Sequence, residues 1–199
     1  KGPVAPAFPH ITVLGSAFGT YIIGVEEDQL YLIDQHAAHE RVFYEKLMAQ
    51  YRNREKDAQL LLTPMVRQVS PAVKAMEEEW LPALTELGYA VEEFGPNLYV
   101  TKEVPAFLTL EEAMDFLEAV FDELGEAKRG EVLSPKIRDK IIMKACKSAV
   151  KGNQHLERAE MERLLEDLAA AENPFSCPHG RPTLLRLSRK EIEHLFKRA

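Results

Sequence analysis

The chain is poor in the residues that staple a fold or anchor it in a membrane. Two cysteines in 199 residues are too few for a disulfide framework, so the thiols are left for metal binding or chemistry in a reducing compartment, with the cytoplasm expected. No apolar run approaches the ~20 residues that cross a bilayer. The start, KGPVAPAFPH, carries three prolines and lacks the apolar core of a signal peptide. Excess positive charge is also missing: the net charge is −7, which argues against a simple basic nucleic-acid-binding surface. No internal repeat is visible. What is present is enough apolar sequence, 46%, to bury the core of one domain or of two small ones.

The charge is unevenly spread. Residues 1–70 hold 7 basic and 8 acidic side chains, residues 71–126 hold 2 and 14, and residues 127–199 hold 16 and 10. An acidic middle between outer portions that pack together fits an inserted subdomain, although solvated helix faces of differing charge give the same totals. The expected division is therefore a linker end at 1–9, a first subdomain from 10–68 and 134–199, and an inserted acidic α/β subdomain at 69–133. The proline-rich start reads as the end of an extended linker, as in a piece of a longer protein.

Periodicity assigns the elements. ITVLGSAF, TYIIGVEE and QLYLID alternate as strands of an antiparallel meander, with turns at Gly19 and in EEDQ. After Asp34 the spacing becomes helical to about Gln50, and residues 59–69 read as an extended, partly buried segment. Ser70 and Pro71 open a helix that runs to Leu87 and stops at Gly88. YAVEEF and NLYVTKEV form a hairpin through Gly95, Pro96 and Asn97. Thr109 and Glu112 make a capping box for an acidic helix over 110–125. A helix from Pro135 to Gly152, another over about 156–171, the strand TLLRLS and a short last helix capped by Ser188 with Glu191 complete the chain. The fold class is α+β, an antiparallel sheet with helices plus the inserted subdomain.

Three places concentrate chemistry. In LIDQHAAHERVFYEKL (32–47), His36 and Glu40 are four apart on one helix face, next to Asp34 at the end of a strand. That spacing lets an imidazole and carboxylates share a divalent ion. It equally fits a capping aspartate followed by a surface His–Glu pair. Glu45, five residues past Glu40, is rotated about 140° from it and points elsewhere. His39 also lies off that face. Cys146 sits in a basic helix, where a small buried side chain is the plain alternative to a ligand. In PFSCPHGRPT (174–183), prolines and Gly180 stiffen a loop carrying Cys177, His179 and Arg181. On extended backbone the C-x-H spacing points Cys177 and His179 to the same side. Lys144, Lys147, Lys151, Arg158 and Arg181 lie near these residues in sequence and suit a phosphate backbone, or simply helix solubility. A disulfide between Cys146 and Cys177 is a third possibility.

Together these stretches resemble a known family. DQHAAHERVFYE (34–45) is similar to the D-Q-H-A-x-x-E-x-x-x-x-E signature of nuclease-competent MutL proteins of DNA mismatch repair. ACKSAVKG (145–152) resembles their A-C-R-type motif and SCPHGRP (176–182) their C-P-H-G-R-P motif, in the same order. Lys147 departs from the arginine of many relatives, keeping the charge but not bidentate phosphate binding. QLLLTP (59–64) resembles the family's Q-x-x-[LI]-x-P sliding-clamp motif, and also reads as a strand ending at proline.

The resemblance implies the C-terminal dimerisation and endonuclease domain of a bacterial MutL: a latent nuclease that nicks duplex DNA. It assigns Asp34 and Glu40 as catalytic. Asp34, His36, Glu40, Cys146, Cys177 and His179 become metal ligands, with Glu45 and Arg181 supporting. Gln59, Leu62 and Pro64 would meet the polymerase sliding clamp, and Lys144, Lys147 and Lys151 DNA. Zinc is the implied bound metal and manganese or magnesium the ion of turnover. Implied partners are a second copy in a homodimer, weakly held duplex DNA, the N-terminal ATPase domain and a mismatch-recognition protein. A nucleoid-associated location and no membrane follow. The competing reading is a structural zinc-bearing dimerisation module without chemistry.

Overall fold

The computed structural model describes residues 7–52, 56–126 and 155–198. The predicted helix 135–152, with Cys146, Lys144, Lys147 and Lys151, lies outside the described residues. The described residues up to Glu45 and from His155 onward form one compact unit. Those from Lys46 to Glu126 form the other, the division falling within a helix.

In the first unit, β1 (Thr12–Ala17), β2 (Tyr21–Glu26) and β3 (Gln29–Asp34) make the expected meander. The three-residue β1–β2 loop places Phe18 and Gly19 at φ of 58° and 63°, and the Thr20 N–H donates to the Ala17 carbonyl at 3.1 Å to close the turn. A late strand, β7 (Leu184–Ser188), pairs antiparallel with β3, giving the order β1-β2-β3-β7. One sheet face carries Val13, Ile22, Tyr31 and Ile33. They pack with Ala38 and Val42 of α1 (Gln35–Arg52) and with Met161, Leu164, Leu165 and Leu168 of Arg158–Ala169. The latter four are spaced i, i+3, i+4, i+7, a single helical stripe.

In the second unit, β4 (Ala58–Gln68), β6 (Leu98–Pro105) and β5 (Ala90–Gly95) form an antiparallel sheet in the order β4-β6-β5. Sequence position assigns β4 to the outer segments. Its long pairing with β6 (Gln68 opposite Leu98, Ala58 opposite Pro105) puts it in the middle unit instead. It is an edge strand, and between Leu60 and Met65 four residues stand against one of β6. That is a bulge holding Pro64, which could not donate to a ladder.

The single helix expected over 71–87 is two, α2 (Pro71–Lys74) and α3 (Glu77–Glu86). The Trp80 indole donates to the Val73 carbonyl at 2.9 Å, and the Met76 N–H reaches the same oxygen at 3.0 Å. The acceptor that an unbroken helix would give to Glu77 is thus taken. Helix α4 (Leu110–Glu126) starts at the expected capping box and buries Ala113, Phe116, Leu117, Val120, Phe121 and Leu124. Trp80 packs edge-on between Tyr99 and Phe121, with ring centres 5.0 and 5.2 Å away. The remaining helices are α5 (Arg158–Ala169), capped by Glu157 with Glu160, and α6 (Arg189–Leu195), capped by Ser188 with Glu191. The result is an α+β fold with two antiparallel sheets. No described helix is long and apolar enough to cross a membrane.

Candidate functional site

The site lies in the first unit, where β3 runs directly into α1. Asp34, the last residue of β3, accepts the Ala37 N–H at 3.0 Å through Oδ1. It is the N-cap of α1, satisfying one of the four unpaired donors at the helix start. One turn along α1, Glu40 is fully buried at 0% exposure.

The second wall is the loop 174–183. Its base is closed by the Thr183 N–H on the Phe175 carbonyl at 3.2 Å, and by the Thr183 hydroxyl on the Pro174 carbonyl. The Asp34 N–H donates to the Thr183 carbonyl at 2.8 Å, fastening the loop to the end of β3. Sequence reasoning overlooked Thr183, a residue type with no local signal at that position. Inside the loop, the Cys177 N–H donates to the Arg181 carbonyl at 2.8 Å and the Gly180 N–H to the Cys177 carbonyl at 2.9 Å. Gly180 takes φ of 83°, a conformation open to glycine at no steric cost. Cys177 and His179 therefore meet across a turn, not along an extended strand as the C-x-H spacing suggests. Their Sγ and Nδ1 atoms are 4.0 Å apart.

Glu40, Cys177 and His179 each present a donor atom, and the three donors lie within 4.8 Å of one another. His179 Nδ1 is 3.2 Å and Arg181 Nη2 2.8 Å from Glu40 Oε2. His36 Nε2 lies 3.0 Å from the other oxygen, Oε1, without hydrogen-bond alignment. Burial pushes the Glu40 carboxyl up, but the Arg181 hydrogen bond and the His36 and His179 imidazoles together hold it below its ordinary range. Arg181, bonded to Cys177 and then to Glu40, is held more firmly protonated than a free arginine.

These residues fit a divalent ion. Sulfur, nitrogen and oxygen are the donor types that such an ion takes, at ~2.0–2.3 Å from each once the side chains draw together around it. Glu40 Oε1 and His36 Nδ1 are moreover buried without a hydrogen-bond partner, a costly state that ligation or its supporting contacts would relieve. Glu40 and Cys177 (1% exposed) are sealed in, whereas Arg181 stands open. Among the described residues three donors converge there, with His179 and Arg181 on the exposed side.

Of the expected ligand set, then, Glu40, Cys177 and His179 converge and His36 adjoins them. Asp34 is engaged as a cap, and Cys146 is outside the described residues. Cys177 is a free thiol. Glu45 contacts the chain preceding the loop: its carboxylate accepts the N–H groups of Glu172 and Asn173. In the second unit, Leu60 and Leu62 of β4 are strongly exposed. The Gln59 amide donates to the Leu108 carbonyl at 2.6 Å and the Pro105 carbonyl at 3.3 Å. Pro64 stands exposed in the bulge.

The sequence matches the family described as MutL C terminal dimerisation domain over residues 14–156. That span includes Asp34, His36 and Glu40 and ends before Cys177. Similarity to individual proteins extends further. The DNA mismatch repair protein MutL of Thermoanaerobacter sp. (strain X514) is 37% identical over 198 residues, covering 100% of this chain and 32% of that protein. MutL of Clostridium acetobutylicum is 40% identical over 191 residues, covering 96% and 30%. That of Pediococcus pentosaceus is 37% identical over 192 residues, covering 96% and 30%. The chain spans about a third of the length of these curated relatives. On the family match and on whole-chain identity at this level, the chain belongs to the MutL C-terminal dimerisation domain family.

Proposed function

We propose that this chain is the homodimerising, metal-dependent DNA-nicking domain of a mismatch repair protein. The observation that carries the reading is the convergence of Glu40, Cys177 and His179, with Arg181 at the open side. When bound, a divalent ion supplies Lewis-acid charge and makes water acidic near neutral pH. Glu40, held ionised in a buried setting, would hold it together with Cys177 and His179, with the His36 imidazole beside them. Zinc suits the thiolate of Cys177, while manganese or magnesium suits oxygen-rich turnover. Arg181 is charged, half-exposed and beside the centre, placed to meet a phosphate of the DNA backbone. Asp34, whose Oδ1 caps α1, is the carboxylate we assign as the base toward attacking water.

Dimerisation is supported by the sheet of the first unit. Alternation turns Ile23, Leu32 and Leu185, paired in one row, away from the core, with Val25, Leu30 and Leu187 in the next. This apolar face suits a second copy around a two-fold axis. The exposed Leu60 and Leu62 of β4 support docking to the sliding clamp in an apolar groove. Duplex DNA, weakly held by a chain of net charge −7, the N-terminal ATPase domain and a mismatch-recognition protein complete the proposed partners. The proposed setting is the cytoplasmic nucleoid.

The deep burial of Cys177 favours one competing reading, a structural zinc module. Asp34→Asn separates the two. Asparagine caps a helix as well as aspartate does, so fold and dimer survive while the charge is lost. Nicking of supercoiled plasmid in manganese is expected to fall at least ~100-fold. Full nicking in this variant, or none in the parent chain beside intact clamp and ATPase domain, would reject the enzymatic reading.

A further inference from the structure

The signature on α1 holds two i,i+4 pairs that face different ways. His36 and Glu40 look into the centre. Arg41 and Glu45 are each one or five positions further, so the helical period turns them away from that face. Glu45 gives both carboxylate oxygens to the chain entering the loop: Oε2 accepts the Glu172 N–H at 2.5 Å and Oε1 the Asn173 N–H at 3.0 Å. Arg41 Nη1 lies 3.3 Å from Glu45 Oε1, and its Nε donates to the Ser176 carbonyl at 2.6 Å. Ser176 immediately precedes Cys177. Asn173 Nδ2 adds a bond to the Ser176 hydroxyl at 3.0 Å. An exposed i,i+4 ion pair is worth little, but Arg41 is only 8% exposed and this pair grips backbone atoms over residues 172–176.

We infer that Arg41 and Glu45 are positioning residues: their grip on 172–176 sets Cys177 and His179 against Glu40, and the metal affinity of the centre depends on it. The inference rests on reading that centre as a metal site. It explains why a signature glutamate stands five residues past a ligand, at a rotation unsuited to sharing its ion. Neither residue needs to touch the ion. Together they act as outer partners that orient ligands through the backbone.

The test uses the whole chain with cobalt as the probe, read by its thiolate-to-cobalt absorption and by competition with a chelator. Arg41→Lys keeps the charge but loses the fork to Ser176 and Glu45, and Glu45→Gln weakens both backbone bonds. Each is expected to lower cobalt affinity ~10–100-fold and to change the absorption band. The double variant should do little worse than the poorer single one, because both act through one segment. Should either variant fold poorly, Asn173→Ala removes only the Ser176 side-chain bond, with a several-fold affinity loss expected. Unchanged affinity and band in all three, beside a parent band that Cys177→Ser diminishes, would overturn the positioning role alone. A lower melting temperature of the metal-free variants with cobalt binding intact would overturn it too. A parent chain with no such band would remove the metal reading itself and this inference with it.

Discussion

The two units solve opposite problems with polar atoms. In the unit that holds the centre, Glu40 and Arg41 are buried charges tied to side chains and backbone of a distant loop. In the middle unit no described charged residue is buried. Its core is Trp80, Tyr99, Phe116, Phe121 and aliphatic neighbours, and its carboxylates stay outside, as in Lys74 with Glu77 and Glu93 or Lys102 with Glu92. Buried charges are weak sources of stability, since desolvation consumes much of what pairing returns. Apolar packing is a strong one. The buried charges are therefore the costly part of the first unit, while the core of the middle unit rests on apolar packing.

The contrast can be sharpened by removing the best-packed side chain of the middle unit. Trp80→Ala loses two edge-on ring contacts and the bond to Val73. It is expected to cost about 3–5 kcal/mol in denaturant unfolding, while the cobalt spectrum of the folded protein stays unchanged. Glu40→Gln tests the other side. Losing charge-assisted bonds to Arg181 and His179 is expected to cost about 1–3 kcal/mol in the metal-free chain, with loss of cobalt binding. A variant that gained stability at neutral pH would show the buried carboxylate to be held at a net penalty.

The smallest effect separates the units by a tyrosine in each. Burial, first, and then Glu26 push Tyr31 above its ordinary value of 10.0. Burial, first, also raises Tyr99, against Lys74 and with Glu77. Each group binds its proton more tightly folded than unfolded. Its stabilising contribution is thus complete below pH 10 and is lost as pH rises through the higher folded value. Alkaline unfolding followed by tyrosinate absorbance should show this loss in the parent chain, and Tyr31→Phe and Tyr99→Phe should each flatten it.

Much of the fold was legible because its signals are local. The meander turns, the hairpin at Asn97, and the capping boxes of Thr109 with Glu112 and Ser188 with Glu191 are all written within a few residues. Three features were not. The break after Lys74 depends on an indole seven residues away, β4 chose a partner some forty residues on, and Cys177 meets His179 through a turn closed by Gly180. In the site, residue types and order pointed to Glu40, Cys177 and His179. The grip of Arg41 on Ser176 spans 135 positions, and no local pattern encodes such a contact.

The bulge in β4 has a consequence for handling this protein. An uncapped sheet border rich in leucine invites strand-by-strand aggregation, and here four looped-out residues with Pro64 interrupt the row of free backbone donors. Shortening that loop to give a flush edge would trade a sociable surface for a fibrillising one.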